Sequence, residues 1–137
     1  MLADQALTAI LREWIHRAEG DLTTAAHTLR LGRACPTEIV AFHAQQCVEK
    51  YLKAALVSRG TNFPMVHDIE KLVGLLPAGV LAAWPIREQR TLTSYAVSAR
   101  YPGDFEPVSI AEAREAVRIA RRVRKEIRRL LPKASLD

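Results

Sequence analysis

Apolar residues recur at intervals of three and four along five stretches of the chain, which predicts five helices, and the residues between those stretches mark where they end. Leu7, Ile10, Leu11, Trp14, Ala18, Leu22, Ala25 and Leu29 mark the first, from about Asp4 to about Arg30. Gly20 falls inside it at a cost of roughly 1 kcal/mol relative to alanine, which admits a bend. Gly32 to Pro36 reads as a turn, because glycine tolerates the left-handed conformation that ends a helix and proline suits the first turn of the next. The second helix then extends to about Arg59 and stops at Gly60, with Val40, Ala41, Ala44, Val48, Tyr51, Leu52, Ala55 and Leu56 on one broad side. A loop over Thr61 to Val66, containing Asn62 and Pro64, delivers His67 and Asp68 to a short third helix through Ile69, Leu72, Val73, Leu75 and Leu76, with Asp68 as its N-cap.

Pro77 to Pro85 is a connection, and Pro85 suits the first position of a fourth helix running to about Ala99. Tyr101-Pro102-Gly103-Asp104 must break that helix, since a residue before proline avoids the helical region and Pro-Gly favours a turn. Ser109-Ile110-Ala111-Glu112 is a capping-box pattern that opens the last helix, which continues to about Leu131, before Pro132. No stretch shows sustained strand alternation or an internal repeat. The expected fold class is therefore all-α, an up-and-down bundle of about five helices forming one domain over 1–137.

With 49% hydrophobic and 26% charged residues in 137, the composition is that of a globular chain with a single core. The two cysteines, Cys35 and Cys47, form no CxxC pair and fit reduced thiols better than a disulfide framework. The N-terminus has an acidic residue early, no basic region and no long apolar run, so neither a signal peptide nor a membrane span is expected, and the location expected is cytoplasmic. The net charge of +5 looks like a nucleic-acid signature, but its distribution matters more than its sum. Arg114, Arg118, Arg121, Arg122, Arg124, Lys125, Arg128, Arg129 and Lys133 all lie in the last helix or just beyond it.

That concentration makes the last helix a first candidate. Ala113, Ala116, Ala120, Val123, Ile127 and Leu131 form its buried stripe, leaving Arg114, Arg118, Arg121, Lys125, Arg128 and Arg129 on another side, where they could track phosphates or simply be solvated. No aromatic residue interleaves with them, so base stacking is not indicated. A second candidate is the polar side of the second helix. His43, Gln46, Lys50 and Lys53 are spaced three, four and three apart with Glu49 beside them, a face that could hold an anion or be an ordinary solvated surface.

The third candidate is Tyr95, Arg100 and Tyr101, where an arginine at a helix end can bind phosphate bidentately and a tyrosine can stack or donate; in the alternative the tyrosines pack in the bundle. His43 and Cys47 could supply two zinc ligands, but there is no second pair, so no metal site is expected. His67 beside Asp68 could be an acid–base pair, with capping and loop ordering as the alternative. No GxSxG, P-loop or GxGxxG motif occurs, and no cofactor is expected.

The string FHAQQCVEKYLKAAL over 42–56 resembles the central helix of HEPN domains, a small helical family associated with nucleotide and nucleic-acid biology. Three further pieces agree in order: W-x6-D-L-x2-A (Trp14, Asp21, Leu22, Ala25), G-x6-H-D-I (Gly60, His67, Asp68, Ile69), and Arg100 before Tyr101-Pro102, with Tyr95 upstream. The resemblance implies a helical bundle and a homodimer. It also implies a non-catalytic chain that binds nucleotide or RNA/DNA phosphate in a cleft near Lys53, Arg100 and Tyr101, often beside a separate minimal nucleotidyltransferase in a toxin–antitoxin-like pair. Ribonuclease members of the family use an arginine followed, after four to six residues, by a histidine. This chain departs from that pattern: no histidine follows Arg100, Arg59 and His67 are separated by seven residues, and Arg12 and His16 by three. Cleavage by that route has no obvious proton carrier. Two alternatives remain, a ribonuclease toxin with a displaced catalytic set and an assembly module alone.

Overall fold

In the computed structural model, which describes residues 2–98, 102–103 and 106–137, five α-helices follow the order read from the sequence. They are α1 (Leu2–Leu29), α2 (Thr37–Ser58), α3 (Ile69–Gly74), α4 (Ile86–Ser98) and α5 (Ile110–Arg128), with single 3-10 turns at Gly32–Ala34 and Lys133–Ser135. No strand occurs among the described residues. α1 runs through Gly20 without a break.

The punctuation acts as its chemistry requires. Gly32 and Gly60 take positive φ, at 61° and 67°, and terminate the segments before them. Asp68 accepts from the Lys71 amide, and Ser109 and Glu112 complete the reciprocal capping box of α5. α3 and α5 each end two or three residues earlier than the apolar pattern suggests. Leu75, Leu76, Leu130 and Leu131 close their amides onto carbonyls three residues back, so the apolar stripe continues through a tightened turn rather than a further α-turn. In the 77–85 connection Leu81 sits at φ 56°, a conformation costing a branched residue on the order of 1 kcal/mol. Burial of its side chain offsets that cost, and its amide reaches Glu126 Oε1 at 3.4 Å.

α2 is the axis of the fold. It packs against α1, α5, α4 and α3, while α3 packs on α4, and α1 also meets α5 and the C-terminal turn. The Arg12 guanidinium fixes that turn by donating to the Ala134 carbonyl at 2.8 and 3.1 Å. The stripe expected on α5 is buried at every position, and the stripe expected on α2 belongs to the same continuous core. Enclosure by four helices has a consequence for α2 that a two-sided helix would not show. Residues 44–49 and 51–56 are all buried, so the polar side chains of Gln45, Gln46, Glu49 and Lys53 lie inside the bundle.

Candidate functional site

The polar face expected on α2 is not one solvent-facing surface, and this corrects the sequence reading. It divides into two networks that point to different neighbours. On one side Asp21 of α1 binds His43 Nδ1 at 2.8 Å through one carboxylate oxygen and the Lys50 ammonium through the other. On the other side Glu49 is only 3% exposed and accepts three hydrogen bonds: from Lys53 Nζ at 3.1 Å, Gln45 Nε2 at 3.1 Å and His67 Nδ1 at 2.8 Å. Gln45 also donates to the His67 carbonyl at 3.3 Å and accepts from Gln46 at 2.7 Å. Four buried polar side chains thereby satisfy one another and dock the loop after Gly60 onto α2.

Lys53 is 7% exposed, and its ammonium lies 5.9 Å from the centre of the Phe63 ring. It is an internal cation with an internal counter-ion, not a free phosphate ligand. Arg100 and Tyr101, the other members of the expected cleft, lie outside the described residues. Tyr95 is buried, with its hydroxyl donating to Glu112 Oε2 at 3.2 Å; burial, and then the charge of Glu112, push the phenol up to about 12. It joins α4 to the first turn of α5, as the packing alternative required. His67 differs from the rest of its cluster. Its side chain is 51% exposed, so the imidazole is held through Nδ1 by a buried carboxylate while the ring borders solvent. Asp68 meanwhile serves the cap rather than an acid–base pair with its neighbour.

His43 and Cys47 do not form half of a metal site. Cys47 is fully buried, burial pushes its thiol up, and His43 is committed to Asp21. Among the described residues no three His, Cys, Asp or Glu side chains are grouped as a metal ion would need.

A third network binds α1 to α5. Glu19 receives Arg124 through Nε and Nη2 at 2.6 to 2.9 Å, with Arg128 Nη1 at 3.6 Å; Arg128 also donates to the Tyr51 hydroxyl at 3.1 Å. Burial by itself would raise the Glu19 carboxyl, but the hydrogen bonds and charge of Arg124, with Tyr51 and Arg128 behind them, outweigh it and hold the group below its ordinary range. A depressed folded-state pKa contributes stability that is present above the unfolded value near 4.3 and is lost as pH falls through the folded value. The pair is about one-third exposed, so solvent limits the contribution to roughly 1 kcal/mol or less. Wild type should therefore exceed Glu19→Gln in urea stability at pH 6, and the two should converge as pH falls below about 4. A gap that persists unchanged at acid pH would show that the carboxylate charge is not what stabilises the contact.

The basic face expected on α5 is thus partly consumed. Arg128 is half-buried and paired with Glu19 and Tyr51, which removes it from the free face, and Arg118 is engaged by Glu115 one turn earlier. Arg114, Arg121, Lys125 and Arg129 are exposed, and among the described residues none has an ion-pair partner. Sequence reasoning missed the roles of Glu19, Asp21 and Gln45. The usable signal was Glu49 and two glutamines in a helix whose remaining positions are largely apolar, a pattern that marks enclosure rather than a wet face.

The helix order and these networks can be set beside known proteins. The HEPN domain family profile matches residues 11–130. Among solved structures, TT1696 from Thermus thermophilus is 28% identical with a TM-score of 0.73, over 88% of this chain and 98% of that one. ST0689, an archaeal HEPN homologue, has a TM-score of 0.66 at 24% identity over the same shares, a likeness of fold. No curated protein matches the chain. Residues 11–130 take in all four motif pieces, from Trp14 to Pro102, together with the whole of α2 and α5, and the chain belongs to the HEPN domain family.

Proposed function

We propose that this protein is a non-catalytic HEPN domain that binds the phosphate of a nucleotide or nucleic acid and works beside a separate minimal nucleotidyltransferase chain. One observation supports the phosphate reading: the cations of α2 are internally neutralised, by Asp21 for Lys50 and Glu49 for Lys53, whereas several on α5 face solvent without carboxylate partners among the described residues. Exposed, uncompensated guanidinium groups are suited to phosphate and attract it over a distance of about a Debye length. The nucleotidyltransferase partner and a homodimeric working unit follow from the family likeness; in such a pair the partner supplies catalytic carboxylates and metal, while this chain positions substrate.

A ribonuclease reading has one observation in its favour, the half-exposed His67 oriented through Nδ1 by a buried carboxylate, which is how a general base is commonly held. A single set of assays separates the two. Purified protein is titrated with nucleoside triphosphates and with short RNA and DNA oligonucleotides, and labelled RNA is incubated with it in chelator. Binding with the RNA left intact supports the proposal. Cleavage lost in His67→Ala replaces it with the nuclease, and no binding of any of these ligands overturns it.

A further inference from the structure

The surface cations of α5 do not stand on an open helix face. Where α5 passes α1, two adjoining depressions of about 500 and 300 Å³ share Leu22, Thr23 and Arg121 and so form one trough. Lys125 lines one end and Arg30 and His27 the other, with Arg121 between them. The carboxylate in its wall, Glu19, is saturated by Arg124, with Arg128 behind. Arg30, Arg121 and Lys125 have no ion-pair partner among the described residues, so three uncompensated cations, one just past the end of α1 and two on α5, face a common channel.

We infer that this α1–α5 trough is a binding site for the sugar–phosphate backbone of a nucleic acid, read without regard to sequence. The inference rests on the phosphate-binding reading above and adds its location and its ligand class. Length favours a polymer over a mononucleotide. From Glu19 to Leu29 α1 rises roughly 15 Å along the trough, with Arg30 just beyond that end, and Arg121 and Lys125 stand about 6 Å apart along α5, so the cations are spread over more than one phosphate. Lining chemistry favours backbone over bases: the trough contains no Phe, Tyr or Trp ring on which a base could stack, and its one imidazole, His27, stands at the far end. Leu22 and Ala26 supply an apolar floor against which sugars can pack, and the exposed Thr23 hydroxyl lies where the two depressions meet.

The test is a mobility-shift and anisotropy titration of labelled 12-mer RNA and DNA over a range of salt, for wild type, Arg30→Gln, Thr23→Glu and Arg59→Gln, each shown to be folded by circular dichroism. Three phosphate contacts give a slope of log K against log salt of about −2 for single strands and about −3 for duplex. Arg30→Gln should lower the magnitude of that slope by about 1, equally for all sequences. Thr23→Glu places a carboxylate in the channel while leaving every α5 cation intact, and should abolish the shift. Arg59→Gln, at the exposed end of α2 and outside the trough, should bind like wild type. RNA and DNA arms decide which backbone is preferred. If wild type binds but Thr23→Glu and Arg30→Gln bind equally well, the trough is wrong and the phosphate-binding proposal survives. Tighter binding of a poly-glutamate peptide than of either oligonucleotide, or equal affinity for a mononucleotide and a 12-mer, also overturns the trough. No binding of mononucleotide or polymer overturns both.

Discussion

Glu49→Leu should destabilise the protein by about 3 to 5 kcal/mol, the range expected when one member of a buried ion pair is removed. The reason lies in what the substitution leaves behind. Without the carboxylate, the Lys53 ammonium, its side chain only 9% exposed, keeps no counter-ion, and the Phe63 ring at 5.9 Å replaces only a small part of the lost interaction. Gln45 loses an acceptor and His67 the anchor that holds its loop on α2. The desolvation cost of the pair was already substantial, so removing both charges should be far milder than removing one. Urea unfolding of Glu49→Leu, Lys53→Met and the double variant measures this directly, with the double variant recovering most of the loss. A Glu49→Leu cost below about 1 kcal/mol would mean that water, rather than this network, satisfies Lys53. The same substitution should raise hydrogen exchange in the 61–67 loop, which the His67 side chain tethers to the helix.

Leu52→Ala should cost about 2 to 5 kcal/mol, from lost burial plus the cavity left behind. Leu52 is fully buried on α2, the helix that touches all four of the others, so no single neighbour can move inward without leaving another contact. Met65→Ala is the control: a residue of similar size, 94% exposed, should stay within about 0.5 kcal/mol. Thermal and urea midpoints measured together give the comparison. A Leu52→Ala loss no larger than that of Met65→Ala would show that α2 is not the element around which the bundle packs.

How far the sequence could be read depended on whether a feature was local. The caps at Asp68 and Ser109, the glycine stops at 32 and 60, and the buried stripe of α5 are decided by neighbours within four residues, and the chain states them directly. α5 was legible also because it is amphipathic in the ordinary way, with one side packed and the other wet. α2 was read by the same rule and misread, because it is packed by four helices and its Gln45, Gln46, Glu49 and Lys53 are internal. Periodicity shows which side of a helix is apolar; it does not show whether the other side is covered.

The charged residues make the same point one level up. Asp21, His67 and Tyr95 each carried a family-like motif, but their partners, at His43 and Lys50, at Glu49 and at Glu112, lie 17 to 29 positions away. Glu19 and Arg124 are 105 positions apart. Spacing alone put Arg128 on the same basic face of α5 as Arg121 and Lys125; packing assigned Arg128 and Arg124 to Glu19 and left Arg121 and Lys125 opposite Arg30. By itself the sequence determined five helices, their caps and glycine stops and the core stripe of α5, because these follow from backbone preferences and the 3.6-residue period, while its motif strings carried the resemblance to the family. Only the tertiary structure decided which cations are spent on internal carboxylates and which remain for a ligand. Charge pairing falls off within a few ångströms, and those ångströms are set by helix packing rather than by position in the chain.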